Sequence, residues 1–265
     1  MFTKICQKIS FMLKKIIRKY LPSNILLFLK DVLVIFRKKI KNHHLYTQAI
    51  SHKNGLEIGG PSPIFRKYLP IYPFAKTIEF VNFSNKTVWE GDLMSRVNYF
   101  KGKTGRQHIL EGDNLGSFQN NQFDFVLSSN CIEHIANPIK AILEWKRITS
   151  KYLIIVIPKK DNNFDKKRPI TSFEHLLDDY KMNIGEDDLT HMNEVINLTD
   201  FSKEYFDGSK KNFVKRCKEN YKYRCIHHHV FDDVLVKKIL GYLNLNIIDI
   251  DSDQNEWFVL SEKTP

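Results

Sequence analysis

From residue 54 onwards, short apolar runs alternate with longer stretches in which apolar residues recur at helical spacing. Runs of this kind are typical of buried strands. They predict five strands, at Gly55–Ile58, Thr77–Phe83, Arg106–Leu110, Phe123–Ser129 and Tyr152–Ile157. The stretches between and after them predict helices near residues 62–68, 87–98, 137–148 and 231–242. Strands that alternate with helices indicate a parallel sheet with helices on both faces.

The later part of the chain departs from this alternation in two places. Leu245–Ile250 and Trp257–Leu260 lack a helix between them and predict a closing antiparallel strand pair. Residues 159–225 are polar, charged and rich in His and Asp, which indicates an insertion. Ligands of open α/β sheets collect outside the carboxyl ends of the strands. We therefore expect this insertion, which follows the fifth strand, to be an acceptor-binding region.

The positive charge of the chain is concentrated at its N-terminus. The net charge of all 265 residues is +11, and residues 1–44 hold eleven Lys or Arg and one acid. The rest is close to neutral, which argues against nucleic acid as a partner. We divide the chain into a basic extension, residues 1–44, and a domain, residues 45–265.

The extension contains two apolar stretches flanked by lysines, a pattern of amphipathic helices. Such basic, amphipathic helices are typical of segments that lie on an anionic membrane surface. The alternative is a helical arm that packs on the domain or on another subunit. The four scattered cysteines indicate a reducing compartment. The predicted location is cytoplasmic, and peripheral at the inner face of the cytoplasmic membrane if the extension binds lipid.

A pair of glycines marks the end of the first predicted strand. Residues 54–62 read NGLEIGGPS, an apolar strand that ends in a turn of an acid, an apolar residue and two glycines. Glycine adopts positive φ and lets the backbone approach a ligand closely. Turns at the carboxyl end of a strand are where open α/β sheets bind ligands. By itself, however, the pair fits an ordinary tight loop equally well.

Three further segments follow the glycine turn in a fixed order. They are EGDNL at residues 111–115, FDFVLSSNCIEHIANP at residues 123–138, and a predicted helix and strand that end at Pro158. Together with the turn, these motifs resemble class I S-adenosylmethionine-dependent methyltransferases over roughly residues 54–158. The resemblance implies an α/β fold with a Rossmann-like parallel sheet, and S-adenosyl-L-methionine as the cofactor.

The resemblance also implies which loops hold the cofactor. The glycine turn would surround the methionine moiety and the ribose, and Asp113 would accept a hydrogen bond from the adenine amino group. The family usually has an acid at the end of the second strand to hold the ribose hydroxyls. This chain has Asn82, whose oxygen can accept one hydrogen bond but carries no charge. The residues assigned to the cofactor are Glu57, Gly59, Gly60, Asn82, Asp113, Leu115, Ser129 and Asn130.

Histidines dominate the predicted acceptor side. An Arg…Thr…EHL stretch, an Asp…Thr-His stretch and a late HHHVF stretch resemble the methyltransferases encoded with bacterial surface-polysaccharide genes. That resemblance implies a glycan or a glycan precursor as the acceptor. Methylating a hydroxyl requires a base, and histidine titrates near neutral pH. The candidate bases are His175 and His191, ahead of His229, with Asp188 to orient an imidazole. The candidates for substrate binding are Arg168, Glu133, His134 and His227.

Two other interpretations use the same residues. His and Asp side chains of the insertion could ligate Zn²⁺ or Mn²⁺. The chain has no compact CxxC or HExxH motif, and we predict no metal. Transfer to nitrogen or to a lipid quinone is an alternative reaction. A non-catalytic scaffold of the same fold at a membrane is an alternative function, favoured by Asn82 and by the absence of a glycine-rich turn before the fifth strand. The sequence does not indicate an oligomeric state.

Overall fold

One mixed sheet of eight strands forms the centre of the molecule. The computed structural model describes residues 40–89, 91–201 and 209–264. In that part of the chain the strands are β1 (Asn54–Ile58), β2 (Thr77–Asn82), β3 (Lys86–Thr87), β4 (Gly91–Asp92), β5 (Arg96–Phe100), β6 (Lys103–Ile109), β7 (Phe123–Ser129), β8 (Thr149–Pro158), β9 (Leu245–Ser252) and β10 (Glu256–Lys263).

The strand order in the sheet is β5-β6-β2-β1-β7-β8-β10-β9. The five strands from β6 to β8 in that order are parallel, and β10 lies antiparallel between β8 and β9. The predicted Rossmann-like fold and its closing antiparallel strand are therefore confirmed. After β1, the strands β2 and β6 are added on one side of it, and β7 and β8 are then added on its other side. Open α/β sheets bind ligands at such a switch point.

Helices cover the sheet and form the insertion. They are α1 (His43–Ile50), α2 (Pro138–Ile148), α3 (Phe173–Lys181), α4 (Met192–Leu198), α5 (Lys210–Lys218), α6 (Asn220–Tyr223) and α7 (Asp233–Tyr242). Single helical turns lie at Ile64–Tyr68, Ile132–His134 and Lys160–Asn162. The start of α2 follows from its sequence, because the Asn137 side chain caps the amide of Lys140 and Pro138 occupies the first turn. Among the described residues, no helix is long and apolar enough to cross a membrane.

The alternation of side chains along each strand gives the sheet a buried core on both faces. Val126 of β7 packs with Leu56 and Trp145 on one face. Its neighbour Phe125 packs with Ile78 and other residues on the opposite face. Both faces are apolar because helices cover both, as a central parallel sheet requires.

The helix predicted near residues 87–98 is wrong. The structure has the short hairpin of β3 and β4 there, followed by the start of β5. Gly91 adopts a φ of +74°, which an α-helix does not contain. Thr87 and Val97 are β-branched, and Tyr99 is buried against the sheet, so this segment favours strands.

The first described helix, α1, begins at His43 and therefore crosses the boundary that we drew at residue 44. Tyr46 is fully buried, and its hydroxyl donates to the Phe258 carbonyl at 3.0 Å. Thus α1 packs on the domain. The two amphipathic helices predicted for the extension lie in residues 1–39, outside the described residues.

Candidate functional site

A cavity of about 620 Å³ opens at the carboxyl ends of the parallel strands. Its lining includes Gly59 after β1, Asn82 at the end of β2, and Ser129 at the end of β7. The insertion, with residues such as Phe164, and the segment that follows it, with His227, close the opposite side. The cavity therefore lies at the switch point and connects the glycine turn with the predicted acceptor region.

The buried carboxylate of Glu57 stabilises the glycine turn through hydrogen bonds. The Glu57 side chain is fully buried. Its Oε1 accepts from the Ser62 amide at 2.9 Å, and its Oε2 accepts from the Tyr72 hydroxyl at 2.6 Å. A Cβ on Gly60 would lie 2.3 Å from the Glu57 carboxyl carbon. Glu57 thus fixes the shape of the turn, and Gly60 is required because the carboxylate lies against it.

Gly59 forms the part of the turn that faces the cavity. Its φ is +79°, and its amide donates to the Val81 carbonyl at 2.8 Å. A Cβ at this position would lie 2.9 Å from the Sγ of Cys131. The conformation and the close approach therefore both require glycine.

Asn82 lies at the end of β2, where the family that this chain resembles usually has an acid. Its Nδ2 donates to the Gly60 carbonyl at 2.8 Å, a bond that an acid could not make. Its Oδ1 is buried and has no hydrogen-bond partner among the described residues. A buried acceptor of this kind needs a donor. A ribose hydroxyl in the cavity fits that need, so the residues present fit the predicted cofactor.

The loop after β6 lies beside the cavity through Leu110, Glu111 and Gly112. The predicted adenine partner, Asp113, is not part of the lining, and it forms an ion pair with Lys140 at 3.1 Å. Leu115 is fully buried in the core. In the arrangement seen here, the lining residues of this loop are therefore the nearer candidates for the adenine ring.

Ser129 and Asn130 both line the cavity where β7 ends. The Oγ of Ser129 is buried without a hydrogen-bond partner among the described residues. Asn130 adopts a φ of +48°, and its Nδ2 donates to Oε1 of Glu256 at 3.3 Å. Burial raises the pKa of Glu256 to about 8. Glu256 therefore adds a largely neutral carboxyl group to this wall at pH 7.

The predicted acceptor side of the cavity contains a buried Asp–His pair. Nδ1 of His227 lies 2.5 Å from Oδ2 of Asp165. Burial opposes the charge on His227, but the carboxylate outweighs it and raises the pKa of the imidazole. Because Nδ1 is held by Asp165, Nε2 is the ring nitrogen that can receive a proton from a molecule in the cavity. This is the base–orienter arrangement of many enzymes that activate hydroxyls.

Arg168 does not line the cavity and supports this pair instead. It is 1% exposed, and its Nη1 donates to Oδ1 of Asp165 at 2.9 Å and to the His227 carbonyl at 2.8 Å. Its Nε donates to Glu194 at 2.8 Å. We predicted Arg168 as a substrate ligand, but the structure directs its guanidinium to protein groups. A buried arginine is stable only when its donors are satisfied in this way.

Glu133 and His134 line the same part of the cavity. Nδ1 of His134 lies 3.1 Å from the Ile226 carbonyl, so it carries the proton and leaves Nε2 as an acceptor. Burial, with a smaller effect of His227, holds the pKa of His134 well below its usual range. Burial also raises the pKa of Glu133 to about 7, and neither carboxylate oxygen has a hydrogen-bond partner among the described residues. His134 is thus a neutral imidazole beside the cavity.

Aromatic rings form much of the remaining wall. Trp89 stacks on the His134 ring at a centroid distance of 6.1 Å and an interplanar angle of 27°. Phe83 lies 6.0 Å from Trp89, and Phe164 lies 4.5 Å from His227. These rings provide apolar faces beside a small number of polar groups, as is usual in sites for small molecules.

Comparison with known proteins adds a second line of evidence. Residues 79–157 match the family model described as a methyltransferase domain. This match supports a class I methyltransferase that uses S-adenosylmethionine. A search of curated proteins found no match to this sequence.

The fold is similar to several solved structures of low sequence identity. A Rhodobacter sphaeroides protein, named among the Zn-dependent alcohol dehydrogenases, has 13% identity and a TM-score of 0.51, over 86% of this chain and 91% of that chain. A SAM-dependent methyltransferase from Aquifex aeolicus has 13% identity and a TM-score of 0.44, over 85% and 90% of the two chains. The Burkholderia thailandensis 1,6-didemethyltoxoflavin-N1-methyltransferase, solved with bound S-adenosylhomocysteine, has 8% identity and a TM-score of 0.45, over 84% of this chain and 75% of that chain. At such identities the similarity concerns the fold alone.

The residues predicted as bases lie outside the lining of the cavity. His175, His191 and His229 form a separate cluster with Asp179, in which the ligand atoms lie within 4.8 Å of one another. Burial lowers the pKa of His191 and of His229. Asp188 accepts bonds from Thr190 at 3.2 Å and 2.7 Å. The sequence placed these residues after the fifth strand, but it did not indicate which part of the insertion folds over the cavity.

A second cluster lies in the cavity itself, where Glu133, His134 and His227 hold ligand atoms within 4.8 Å of one another. We had predicted these three for substrate binding, and the structure brings them together. The sequence reasoning missed Asp165 and the aromatic residues of the wall. Asp165 lies three residues before Arg168, which is a usual spacing for an ion pair, but its contact with His227 spans 62 residues.

Proposed function

We propose that this chain transfers a methyl group from S-adenosylmethionine to an oxygen of a sugar, or of a phosphate-linked group, on a bacterial surface glycan or its precursor. One observation carries the proposal. One cavity is lined by Gly59 of the glycine turn, by Asn82, whose oxygen has no partner among the described residues, and by His227 of the Asp165–His227 pair. The first two fit the cofactor, and the pair fits an acceptor hydroxyl.

The residues of the acceptor side have separate tasks in this reaction. When bound, S-adenosylmethionine supplies an electrophilic methyl group on a positively charged sulfur. In its neutral form, His227 would receive the hydroxyl proton at Nε2 as the acceptor oxygen bonds to the methyl carbon. The bond between that carbon and sulfur would break, and S-adenosylhomocysteine would leave. Asp165 fixes the tautomer and stabilises the imidazolium that results. Alignment of the two reactants in the closed cavity provides most of the remaining acceleration.

A sugar acceptor is supported by the composition of the wall. Sugar rings present apolar C–H faces between their hydroxyls, and Trp89, Phe83 and Phe164 offer aromatic surfaces to such faces. Trp89 is 40% exposed, so part of its surface is open to an incoming molecule. The imidazoles of His134 and His227 beside these rings can exchange hydrogen bonds with the hydroxyls.

The proposal is tested with the full chain, S-adenosylmethionine labelled in the methyl group, and matched acceptors. We expect calorimetry to show binding of the cofactor, and label to appear in hydroxyl-bearing glycans such as nucleotide sugars or lipid-linked oligosaccharides. Amine and quinone acceptors serve as controls and should remain unlabelled. Failure to bind S-adenosylmethionine would contradict the enzymatic proposal. Label found only in an amine or a quinone would contradict the acceptor that we propose.

We further propose that residues 1–39 bind the enzyme to the anionic inner face of the cytoplasmic membrane. They hold ten Lys or Arg and one acid. Deletion should stop at residue 39, because α1 begins at His43 and Tyr46 belongs to the core. The truncated protein should bind the cofactor normally and lose its affinity for phosphatidylserine vesicles at low salt, since each basic residue near the surface contributes about 1 kcal/mol. Equal sedimentation of both proteins with the vesicles, or of neither, would contradict the proposal.

A further inference from the structure

Four side chains outside the cavity converge on one point. His175 and Asp179 lie one turn apart on α3, and therefore project from the same face of the helix. His191 comes from the residue before α4, and His229 from the extended segment before α7. One ligand atom from each of the four lies within 4.8 Å of every other.

Three of the six distances between these atoms match a tetrahedral metal centre, and the others lie within 4.8 Å. Nε2 of His175 lies 3.1 Å from Nε2 of His191 and 3.3 Å from Oδ2 of Asp179, and Nε2 of His229 lies 3.5 Å from the same Oδ2. Zinc bonds to nitrogen and oxygen of about 2.0–2.1 Å place tetrahedral ligands about 3.3–3.4 Å apart. Little movement of the side chains would therefore be needed to hold an ion.

The cluster also contains an atom that needs a partner. Oδ2 of Asp179 is buried and has no hydrogen-bond partner among the described residues. A buried carboxylate oxygen without a donor is costly unless a cation lies beside it. Nε2 of His229 also lies 3.1 Å from the Ala136 carbonyl. Metal binding would transfer the ring proton to Nδ1 and would replace that contact.

We propose that His175, Asp179, His191 and His229 form a four-ligand metal site, and that Zn²⁺ is the ion it holds. Three imidazoles and one carboxylate in tetrahedral arrangement suit Zn²⁺. Four protein ligands leave no position for a reactant, so the site is structural. The exposed edge of His175, whose side chain is 41% exposed, gives the ion access from solvent. This inference is independent of the proposed function.

The site would connect two segments of the insertion with the segment that follows it. The ion would tie α3 and the start of α4 to the strand-like segment that ends at α7. His229 is two residues from His227, which lines the cavity. The metal would therefore fix the path of the backbone that carries the proposed base, although it touches neither the acceptor nor the cofactor.

The experiment uses the full chain after treatment with a chelator and removal of the chelator. Zinc is added in excess, unbound metal is removed by desalting, and the retained zinc is measured by mass spectrometry. We expect one zinc per chain. With free zinc at 100 times the dissociation constant, the melting temperature should rise by at least ~5 °C. Co²⁺ in place of Zn²⁺ should give the intense visible absorption of a tetrahedral site. His191→Ala and Asp179→Asn should lose the stoichiometric binding.

Two controls make the result decisive. His44→Ala removes an exposed histidine outside the cluster, and His134→Ala removes a member of the cavity cluster; both variants should retain one zinc per chain. Circular dichroism shows whether each variant is folded. If the wild-type chain retains less than about 0.2 zinc per chain and its melting temperature is unchanged, the proposal is overturned. It is also overturned if folded His191→Ala binds zinc as the wild type does, or if only His134→Ala loses it.

Discussion

Replacement of His227 by glutamine is expected to lower the turnover number by ~10²–10⁴-fold, the usual contribution of a general base. Glutamine has a similar length, and its amide can still donate to Asp165, so the buried pair keeps one hydrogen bond. The dissociation constant for S-adenosylmethionine should change little, because His227 belongs to the acceptor side of the cavity. Turnover is measured with labelled cofactor and binding by calorimetry.

Two further variants separate the roles within this group. Asp165→Asn keeps the size of the side chain but removes the charge that holds Nδ1 of His227, so a smaller loss of turnover than in His227→Gln is expected. His134→Gln tests the other imidazole that lines the cavity. If His134→Gln causes the large loss while His227→Gln retains more than a tenth of the activity, His134 is the base. Loss of turnover in proportion to loss of thermal stability would indicate a structural role for His227.

The fold could be predicted from the sequence because parallel strands buried on both faces leave a strong pattern. β7 and β8 contain continuous apolar runs, Phe125–Leu127 and Leu153–Ile157, and the helix α2 between them has a clear cap at Asn137. The segment from β3 to β5 has no such pattern. Its strands are two to five residues long and lie at or beyond the edge of the sheet, so their partners decide their conformation.

The cofactor side of the site could be predicted in the same way, since Gly59 and Asn82 follow their strands directly. The acceptor side depends on how the insertion folds back, and its contacts are distant in sequence. His227 and His229 are two residues apart in an extended segment, yet one lines the cavity and the other belongs to the separate cluster. Spacing along the chain indicated the residue types that matter, but only the tertiary contacts with Asp165 and Asp179 distinguish their roles.

Replacement of Gly59 by valine is expected to raise the dissociation constant for S-adenosylmethionine by at least ~100-fold. The backbone at Gly59 has a φ of +79°, which a β-branched residue adopts only with strain. The new Cβ would also lie 2.9 Å from the Sγ of Cys131, and both residues line the cavity. The turn must then move, and its bond to the Val81 carbonyl, 2.8 Å long, is lost with it. Calorimetry with the cofactor and with S-adenosylhomocysteine measures the effect.

The matched control is Gly102→Val. Gly102 has a φ of +68°, so valine there is strained in a similar way, but no atom lies within 4 Å of the added Cβ, and the residue is not part of the cavity. This variant should lose thermal stability and keep its affinity for the cofactor. Adding Cys131→Ala to Gly59→Ala should recover part of the affinity that Gly59→Ala loses, because it removes the closer of the two contacts. If folded Gly59→Val binds the cofactor as tightly as Gly102→Val does, the cofactor does not lie against this turn, and the proposed placement of the site is incorrect.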